Sequence, residues 1–344
     1  VCPFELCLDV STWSDNIICD YNYVFDPNVY LKRFFAEGTK GDYIFLVDEA
    51  HNLVERSREM YSAEVYKEDF LEIKKLVKRY NTRLEADFNK CNKILLDYKR
   101  ECEKYVLYEN VGNFVFALQR LASNLDEFLQ QRTEFPERKT VTEFYLNVRN
   151  FLNMYDLVDS HYVIYSEHAE DGRFMLKLYC VDPSANLQAC LNKGNATIFF
   201  SATLLPIQYY KSLLSTKEDN YAVYAETAFS EEQRLLLVGR DVSSKYTRRN
   251  RTEFRRIAEY IVKTAQAKKG NYMVFFPSYK MMQQVYEEFE LMAPVGIDTV
   301  LQEMGMNESE REGFLAEFAE ERENSMVAFC VMGGIFGEGI DLKH

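Results

Sequence analysis

No apolar run in the 344 residues, not even Tyr43 to Val47 or Met326 to Met332, approaches the roughly 20 needed to cross a bilayer. No basic, apolar, small-residue leader opens the chain either, so neither membrane insertion nor secretion is expected. The eight cysteines (2, 7, 19, 91, 102, 180, 190 and 330) sit apart in apolar contexts. They lack the dense spacing of a disulfide scaffold, which suits a reducing compartment. Basic residues are outnumbered, 41 against 54, for a formal charge of -13, which argues against nucleic-acid binding over the whole surface. One local basic track remains at 245-KYTRRNRTEFRR-256, where six Lys and Arg face a single Glu253. Its bland reading is a solvated helix start. Internal repeats and low-complexity tracts are absent.

A chain of this length is too long for one ordinary core, and 47% apolar residues are enough to fill two or three. Up to about Ser62 short apolar runs alternate with turn or helix signals, as α/β layers do. From Val65 to Tyr105 the apolar residues fall at steps of three and four: Phe70, Ile73, Val77, Tyr80, Leu84, Phe88, Cys91, Leu95, Tyr98, Cys102 and Tyr105. That spacing predicts a single stripe on a long helix. Two more stripes follow, Phe114 to Phe128 and Phe144 to Tyr155, so about 64 to 170 is expected to be a helical insertion with its own small core. Strands are predicted again at Phe174 to Val181, Ala196 to Phe200, Leu235 to Val238, Met273 to Phe276 and Met326 to Val331. Helices at Thr252 to Gln266 and Tyr279 to Met292 lie between them. Such alternation builds mostly parallel sheets covered by helices.

In parallel α/β sheets ligands bind at the carboxyl ends of strands, and three predicted strands end unusually. Tyr43 to Val47 runs into Asp48-Glu49-Ala50-His51, Ala196 to Phe200 into Ser201-Ala202-Thr203, and Met326 to Met332 into 333-GGIFGEGIDL-342. Phosphoryl transfer from a nucleotide needs one carboxylate to hold hydrated Mg²⁺ and a second group to orient the attacking water. Asp48 and Glu49 suit those tasks. His51 with Ser201 and Thr203 can then sense the γ-phosphate. The competing reading is a solvated acidic turn closed by a helix-capping Asp or Asn52. The glycines of the third stretch allow φ > 0 and close approach of a ligand, and Glu338 and Asp341 offer acceptors. A Gly-rich turn alone is often only a turn.

The order 2-CPFELC-7, 19-CDYNYVFDP-27, 46-LVDEAH-51, 200-FSATL-204, 245-KYTRR-249, 275-FFPSY-279 and 333-GGIFGEGIDL-342 resembles the XPD and DinG family of superfamily 2 DNA helicases. The resemblance spans the chain, interrupted by the helical segment. It implies an α/β fold of two RecA-like (P-loop NTPase) motor domains, both incomplete, with a helical Arch-type insertion in the first. Residues 1–63 would be part of motor domain 1 with the end of an iron-sulfur region, 64–172 the insertion, 173–228 the return of domain 1, and 229–344 part of domain 2. The implied activity is ATP-dependent DNA unwinding, with translocation on single-stranded DNA in the 5′ to 3′ direction. ATP and Mg²⁺ are the implied cofactors, single-stranded or forked DNA the partner, and a monomer in the bacterial cytoplasm the expected setting.

Residue by residue, Asp48 matches the Walker B aspartate that coordinates Mg²⁺, and Glu49 the residue that positions or deprotonates water. His51 with Ser201, Ala202 and Thr203 matches the group that couples nucleotide state to DNA binding. Gly337, Glu338, Gly339 and Asp341 match a motif touching nucleotide and strand backbone. Lys245, Tyr246, Arg248 and Arg249, with Ser278 and Tyr279, fall where the family contacts DNA. Cys2, in C-P-F, matches the last of four ligands of a 4Fe-4S cluster whose other three lie upstream in the family. Neither Cys7 nor Cys19 has the right relation to it, so the chain alone is not expected to bind a cluster.

The pattern also fails in places. No phosphate-cradling G-x-x-x-x-G-K-S/T occurs, and the family's closing Gln followed by Gly-Arg and a further Arg is missing. The look-alike Gln233 with Gly239-Arg240 lies before the Gly-rich loop. An arginine finger alone is worth on the order of 10³ to 10⁵ in rate. The polypeptide as given is therefore expected to have no useful ATPase activity, although its parent would. A non-catalytic nucleic-acid-binding scaffold with a dead motor is the alternative from another class. An RNA helicase is a third, since Asp-Glu-Ala-His also occurs there. Those families lack a hundred-residue helical insertion after this strand and the C-P-F-E and D-Y-N-Y segments.

Overall fold

The computed structural model describes residues 2–36, 40–227, 230, 232, 234–319, 322–337 and 340. Two units divide the chain, Val1–Ala225 and Glu226–His344. The first opens with helices α1 (Pro3–Ser11), α2 (Asn22–Phe25) and α3 (Lys32–Phe35), followed by strand β1 (Ile44–Val47) and helix α4 (Ala50–Met60). Its middle segment runs β2 (Ala63–Tyr66), α5 (Lys67–Val77), α6 (Thr82–Glu101), β3 (Tyr105–Tyr108), α7 (Gly112–Gln131), α8 (Arg138–Tyr155), β4 (Tyr162–His168) and β5 (Phe174–Cys180). It closes with α9 (Ser184–Leu191), β6 (Ala196–Phe199) and α10 (Ile207–Leu214).

Strands β1 and β6 pair in parallel, Ile44 opposite Ala196 and Val47 opposite Phe199. One face of this pair lies on a core that includes Phe25, Val47, Leu53, Val54, Leu187 and Leu214. The other presents Ile44, Leu46 and Ile198 at 65%, 65% and 54% exposure. An apolar face of that kind marks a contact surface rather than ordinary solvent-facing sheet.

The three predicted stripes of the insertion do pack on one another. Phe70, Phe88, Phe114, Phe144 and Phe151 share one core. Phe70 and Phe144 meet edge to face with centroids 5.1 Å apart at 89°, the geometry aromatic quadrupoles favour.

Two expectations for this region are corrected. The stripe from Val65 to Tyr105 is not one helix. It is β2, α5, a turn, α6 and β3, and Tyr105 is 65% exposed. The break comes from Asn81, whose extended backbone leaves its side chain free to accept from Arg83 N at 2.9 Å and Leu84 N at 3.3 Å. An Asn that satisfies the first amides of a helix starts one rather than continuing one. Phe174 to Val181 is a strand as expected, but not of a parallel sheet. Strand β5 pairs antiparallel with β2 on one side and β4 on the other, within a four-stranded sheet of order β2-β5-β4-β3. The insertion is thus helices on an antiparallel sheet.

The second unit contains α11 (Arg251–Ala267), β7 (Asn271–Phe276), α12 (Tyr279–Leu291), β8 (Ile297–Leu301), α13 (Glu308–Ala316) and β9 (Ser325–Val331). Its sheet is parallel, in the order β7-β9-β8. Every residue of the central strand β9 is buried, which is why Met326 to Val331 reads as a continuous apolar run rather than an alternating one. Phe254, Ala258, Val285 and Phe289 of α11 and α12 cover one set of its side chains, and Phe314, Phe318 and Phe336 the other. The strand expected at Leu235 to Val238 does not form. These four residues have no regular secondary structure and are 74–81% exposed, because an apolar run supplies β-propensity while pairing needs a neighbour in register.

Candidate functional site

Strands β1 and β6 run side by side in the same direction, so their carboxyl ends deliver Asp48-Glu49 and Ser201-Ala202-Thr203 to one place. Backbone bonds lock this junction. Phe200 N donates to Val47 O at 3.0 Å, and Ala50 N to Phe200 O at 3.1 Å. Only Asp48 and Glu49 separate β1 from α4, and the sharp turn puts Glu49 at φ 44, ψ 43 in the left-handed region. For a residue with a Cβ this is roughly 1–2 kcal/mol uphill. Such a conformation persists only where the surroundings over-determine it.

Three side chains then form a short hydrogen-bonded chain. The Ser201 hydroxyl donates to Glu49 Oε2 at 3.0 Å, and His51 Nδ1 lies 2.8 Å from the same Ser201 Oγ. With the hydroxyl proton directed at the carboxylate, His51 is the donor at Nδ1. The same nitrogen is 3.3 Å from Glu49 Oε2. Thr203 closes the group, its amide donating to Ser201 Oγ at 3.1 Å and its hydroxyl 3.3 Å away. Ala202 is exposed on the turn between them. The Glu49 side chain is 44% exposed and that of His51 18%, so the carboxylate faces outward while the imidazole backs it.

Asp48 is exposed, and its Oδ1 accepts from Glu49 N at 2.8 Å. That leaves the carboxylate aimed off the strand end with one oxygen committed. Mg²⁺ keeps several waters and takes one or two protein carboxylates alongside phosphate oxygens, so a single outward Asp48 fits such an ion. An iron-sulfur cluster does not fit the residues at hand. Cys2, Cys7 and Cys19 are exposed, and among the described residues no group of three or more His, Cys, Asp or Glu could hold a metal.

In the second unit the Gly-rich stretch turns tightly after β9. Gly333 has φ 67, and a Cβ on Gly334 would sit 2.7 Å from Gln302 Nε2 and 3.0 Å from Val331 O. Gly337 N donates to Gly334 O at 2.8 Å. Glu338, Gly339 and Asp341 lie outside the described residues.

The predicted DNA contacts of this unit separate into two kinds. Arg248 is drawn toward the protein by Glu253, only 4% exposed, whose two oxygens it meets at 3.1 and 3.0 Å. Ser278 caps α12 by accepting from Met281 N at 3.3 Å. Tyr279 accepts from Gln302 Nε2 at 2.9 Å. These three are tied into the fold. Lys245 and Tyr246 are exposed instead, Tyr246 at 84%, with the Arg249 guanidinium over its ring at 5.6 Å. Tyr246 and Arg249 share the wall of a groove of about 580 Å³ with Arg251, Lys280 and Gln284. Lys280 was not anticipated. Nothing in the sequence signals it, because the groove brings it beside the basic track only through packing of α12.

The D-Y-N-Y segment also reaches the end of β1. The Tyr21 hydroxyl lies against the main-chain oxygens of both Asp48 and Glu49.

Comparison with known proteins matches residues 1–70 to the family model DEAD_2 and residues 261–344 to that of the helicase C-terminal domain. The ATP-dependent DNA helicase XPD of Sulfolobus acidocaldarius is 25% identical over 299 residues, which cover 84% of this chain and 51% of that protein. The ATP-dependent DNA helicase CHL1 of Candida glabrata is 21% identical over 330 residues, covering 83% of this chain and 38% of that one. This chain thus spans about half, or less, of the length of these relatives. Among solved structures, "Structure of S. tokodaii Xpd4" aligns with TM-score 0.54 at 16% identity, covering 91% of this chain and 62% of that one. "XPD_APO" aligns with TM-score 0.51 at 20% identity, covering 99% and 65%. The fold is therefore the mixed α/β one of these proteins, RecA-like motor domains with an Arch insertion. The two matched ends, in this order around the insertion, and these relatives make the chain similar to the XPD/DinG-type superfamily 2 helicases.

Proposed function

We propose that this chain is the central part of an ATP-dependent DNA helicase motor that moves 5′ to 3′ along single-stranded DNA. The observation that carries the reading is the chain Glu49, Ser201, His51 at the joined carboxyl ends of β1 and β6. Asp48 holds Mg²⁺, which when bound with ATP neutralises charge on the phosphates. Glu49 orients the attacking water. A hydroxyl bound to that same carboxylate feels any change at the nucleotide, and the turn after β6 that bears Ser201 and Thr203 passes it toward the DNA. By the family resemblance, Gly337, Glu338, Gly339 and Asp341 would touch nucleotide and strand backbone. The groove of Tyr246, Arg249 and Lys280 offers an aromatic face and two cations, Arg251 in the same wall being held by Glu288 at 2.6 Å, which suits stacking on a base and neutralising backbone phosphates.

Residues 64–172 would be an Arch-type insertion in the first motor domain, and β5, just past that boundary, joins its sheet by pairing with β2. Cys2 serves an iron-sulfur cluster only in the company of cysteines this sequence does not contain. Because the 344 residues hold no G-x-x-x-x-G-K-S/T, the isolated chain turns over no ATP. A forked or single-stranded DNA is the partner, and the motor works as a monomer.

The test is the pair of substitutions Asp48→Asn and Glu49→Gln in the full-length protein. DNA binding should survive while unwinding of a forked duplex is abolished. Unwinding retained by the double variant rejects the roles assigned here, and a parent that never hydrolyses ATP leaves the scaffold reading in its place.

A further inference from the structure

The left-handed turn at Glu49 needs something to hold it, and the neighbouring segment supplies it. Helix α2 is clamped to α4 at both ends. At one end Phe25 is 2% exposed, and its carbonyl accepts from the Tyr61 hydroxyl at 2.6 Å. At the other, Arg56 Nη2 reaches Asn22 Oδ1 at 3.4 Å. Tyr21 immediately precedes α2, packs on the same core, and extends its hydroxyl to the Asp48-Glu49 turn. There its single proton is shared between the Asp48 carbonyl, the closer of the two, and the Glu49 carbonyl at 3.1 Å. Further bonds at the turn come from the turn itself or from the residue after β6: Glu49 N to Asp48 Oδ1, Asn52 N to Glu49 O, and Ala50 N to Phe200 O.

On the site reading given above, we propose that Tyr21 is a positioning residue for that site. It sets the two carboxylates by holding their main chain. Both side chains branch from the peptide units whose oxygens Tyr21 holds. Release of that bond lets φ of Glu49 relax toward the right-handed region, which swings its carboxylate away from the attacking water and tilts Asp48 off the metal. Arranged geometry is where such losses are felt, since a displacement of about 1 Å can cost on the order of a hundredfold in rate.

The experiment uses the full-length protein with Tyr21→Phe, which keeps the ring and its packing and removes only the hydroxyl. DNA-stimulated kcat should fall by on the order of ten- to a hundredfold, with KM for ATP and the thermal midpoint unchanged. Amide hydrogen exchange, followed by mass spectrometry on nucleotide-free protein, should speed up in the peptide from Leu46 to Asn52. Tyr23→Phe, two residues away, should alter none of these. Parental kcat and parental exchange in Tyr21→Phe overturn the proposal, as does a rate loss that Tyr23→Phe shares or that a lower thermal midpoint accompanies. Full turnover by Asp48→Asn would instead overturn the reading of the site, while exchange at Leu46 to Asn52 still decides what Tyr21 holds.

Discussion

Ser201 and Glu49, 152 positions apart in the chain, meet hydroxyl to carboxylate at 3.0 Å. The meeting depends on β1 and β6 being adjacent and in parallel register, Val47 opposite Phe199, so that the residues just past each strand emerge together. A hydroxyl has one proton. Giving it to Glu49 leaves Ser201 Oγ as acceptor for His51 and for the Thr203 amide.

Ser201→Ala removes the centre of that arrangement without touching the metal carboxylate. A hydrogen bond to a charged group is worth about 1.5–3 kcal/mol, and the half-exposed Glu49 puts this one near the lower figure, close to tenfold in an equilibrium. In the full-length protein, ATP turnover without DNA should stay near the parental rate while its stimulation by single-stranded DNA drops by about that factor. An unchanged ratio of stimulated to unstimulated turnover would show that Ser201 carries no coupling.

Asn81→Ala deletes the cap that separates α5 from α6. Loss of an Asn cap costs about 1 kcal/mol. Urea titration of the 344-residue chain should show a lower midpoint for the insertion with an unchanged slope. A midpoint equal to the parent's would mean that water serves the Arg83 and Leu84 amides equally well.

His161 and Asp159 form an exposed pair at the start of β4, with Nδ1 2.9 Å from Oδ2. The bond from Asp159 raises the His161 imidazole above its ordinary 6.5. The same bond holds the Asp159 carboxyl below its ordinary 3.8. A raised histidine stabilises fully below 6.5 and loses that contribution as pH climbs through its folded value. A depressed carboxyl stabilises above 3.8 and loses it as pH falls through its folded value. The pair therefore contributes most in mildly acidic solution, and modestly, since solvent screens it. Titration of the imidazole resonances by NMR should show the midpoint moving down in Asp159→Asn. Equal midpoints would remove the pair from the account.

Much of the local structure is legible in the sequence. The Phe114 to Phe128 and Phe144 to Tyr155 stripes become α7 and α8, and the runs at Tyr43, Ala196, Met273 and Met326 become β1, β6, β7 and β9. In each case one face or one whole strand is buried, so the pattern of apolar residues reports the element. The stripe from Val65 to Tyr105 misleads because steps of three and four persist across the turn at Asn81. Burial of Val77, Leu84 and Phe88 in one core requires the same spacing whether or not the helix is continuous. Leu235 to Val238 misleads in the opposite way, with the composition of a strand and no partner among the described residues.

The sequence by itself determined which chemical groups are present: a pair of carboxylates and a histidine after an apolar strand, a Ser and a Thr after another, and a basic track away from both. Side-chain type and local periodicity are properties of neighbours along the chain, and they survive without the fold. Tertiary structure alone decided who meets whom. It sent β5 to an antiparallel sheet, brought Lys280 beside Arg249, and set the Tyr21 hydroxyl on the carbonyls of Asp48 and Glu49. Strand register and helix packing fix such pairings, and both depend on residues dozens to more than a hundred positions away, whose distance apart no local pattern records.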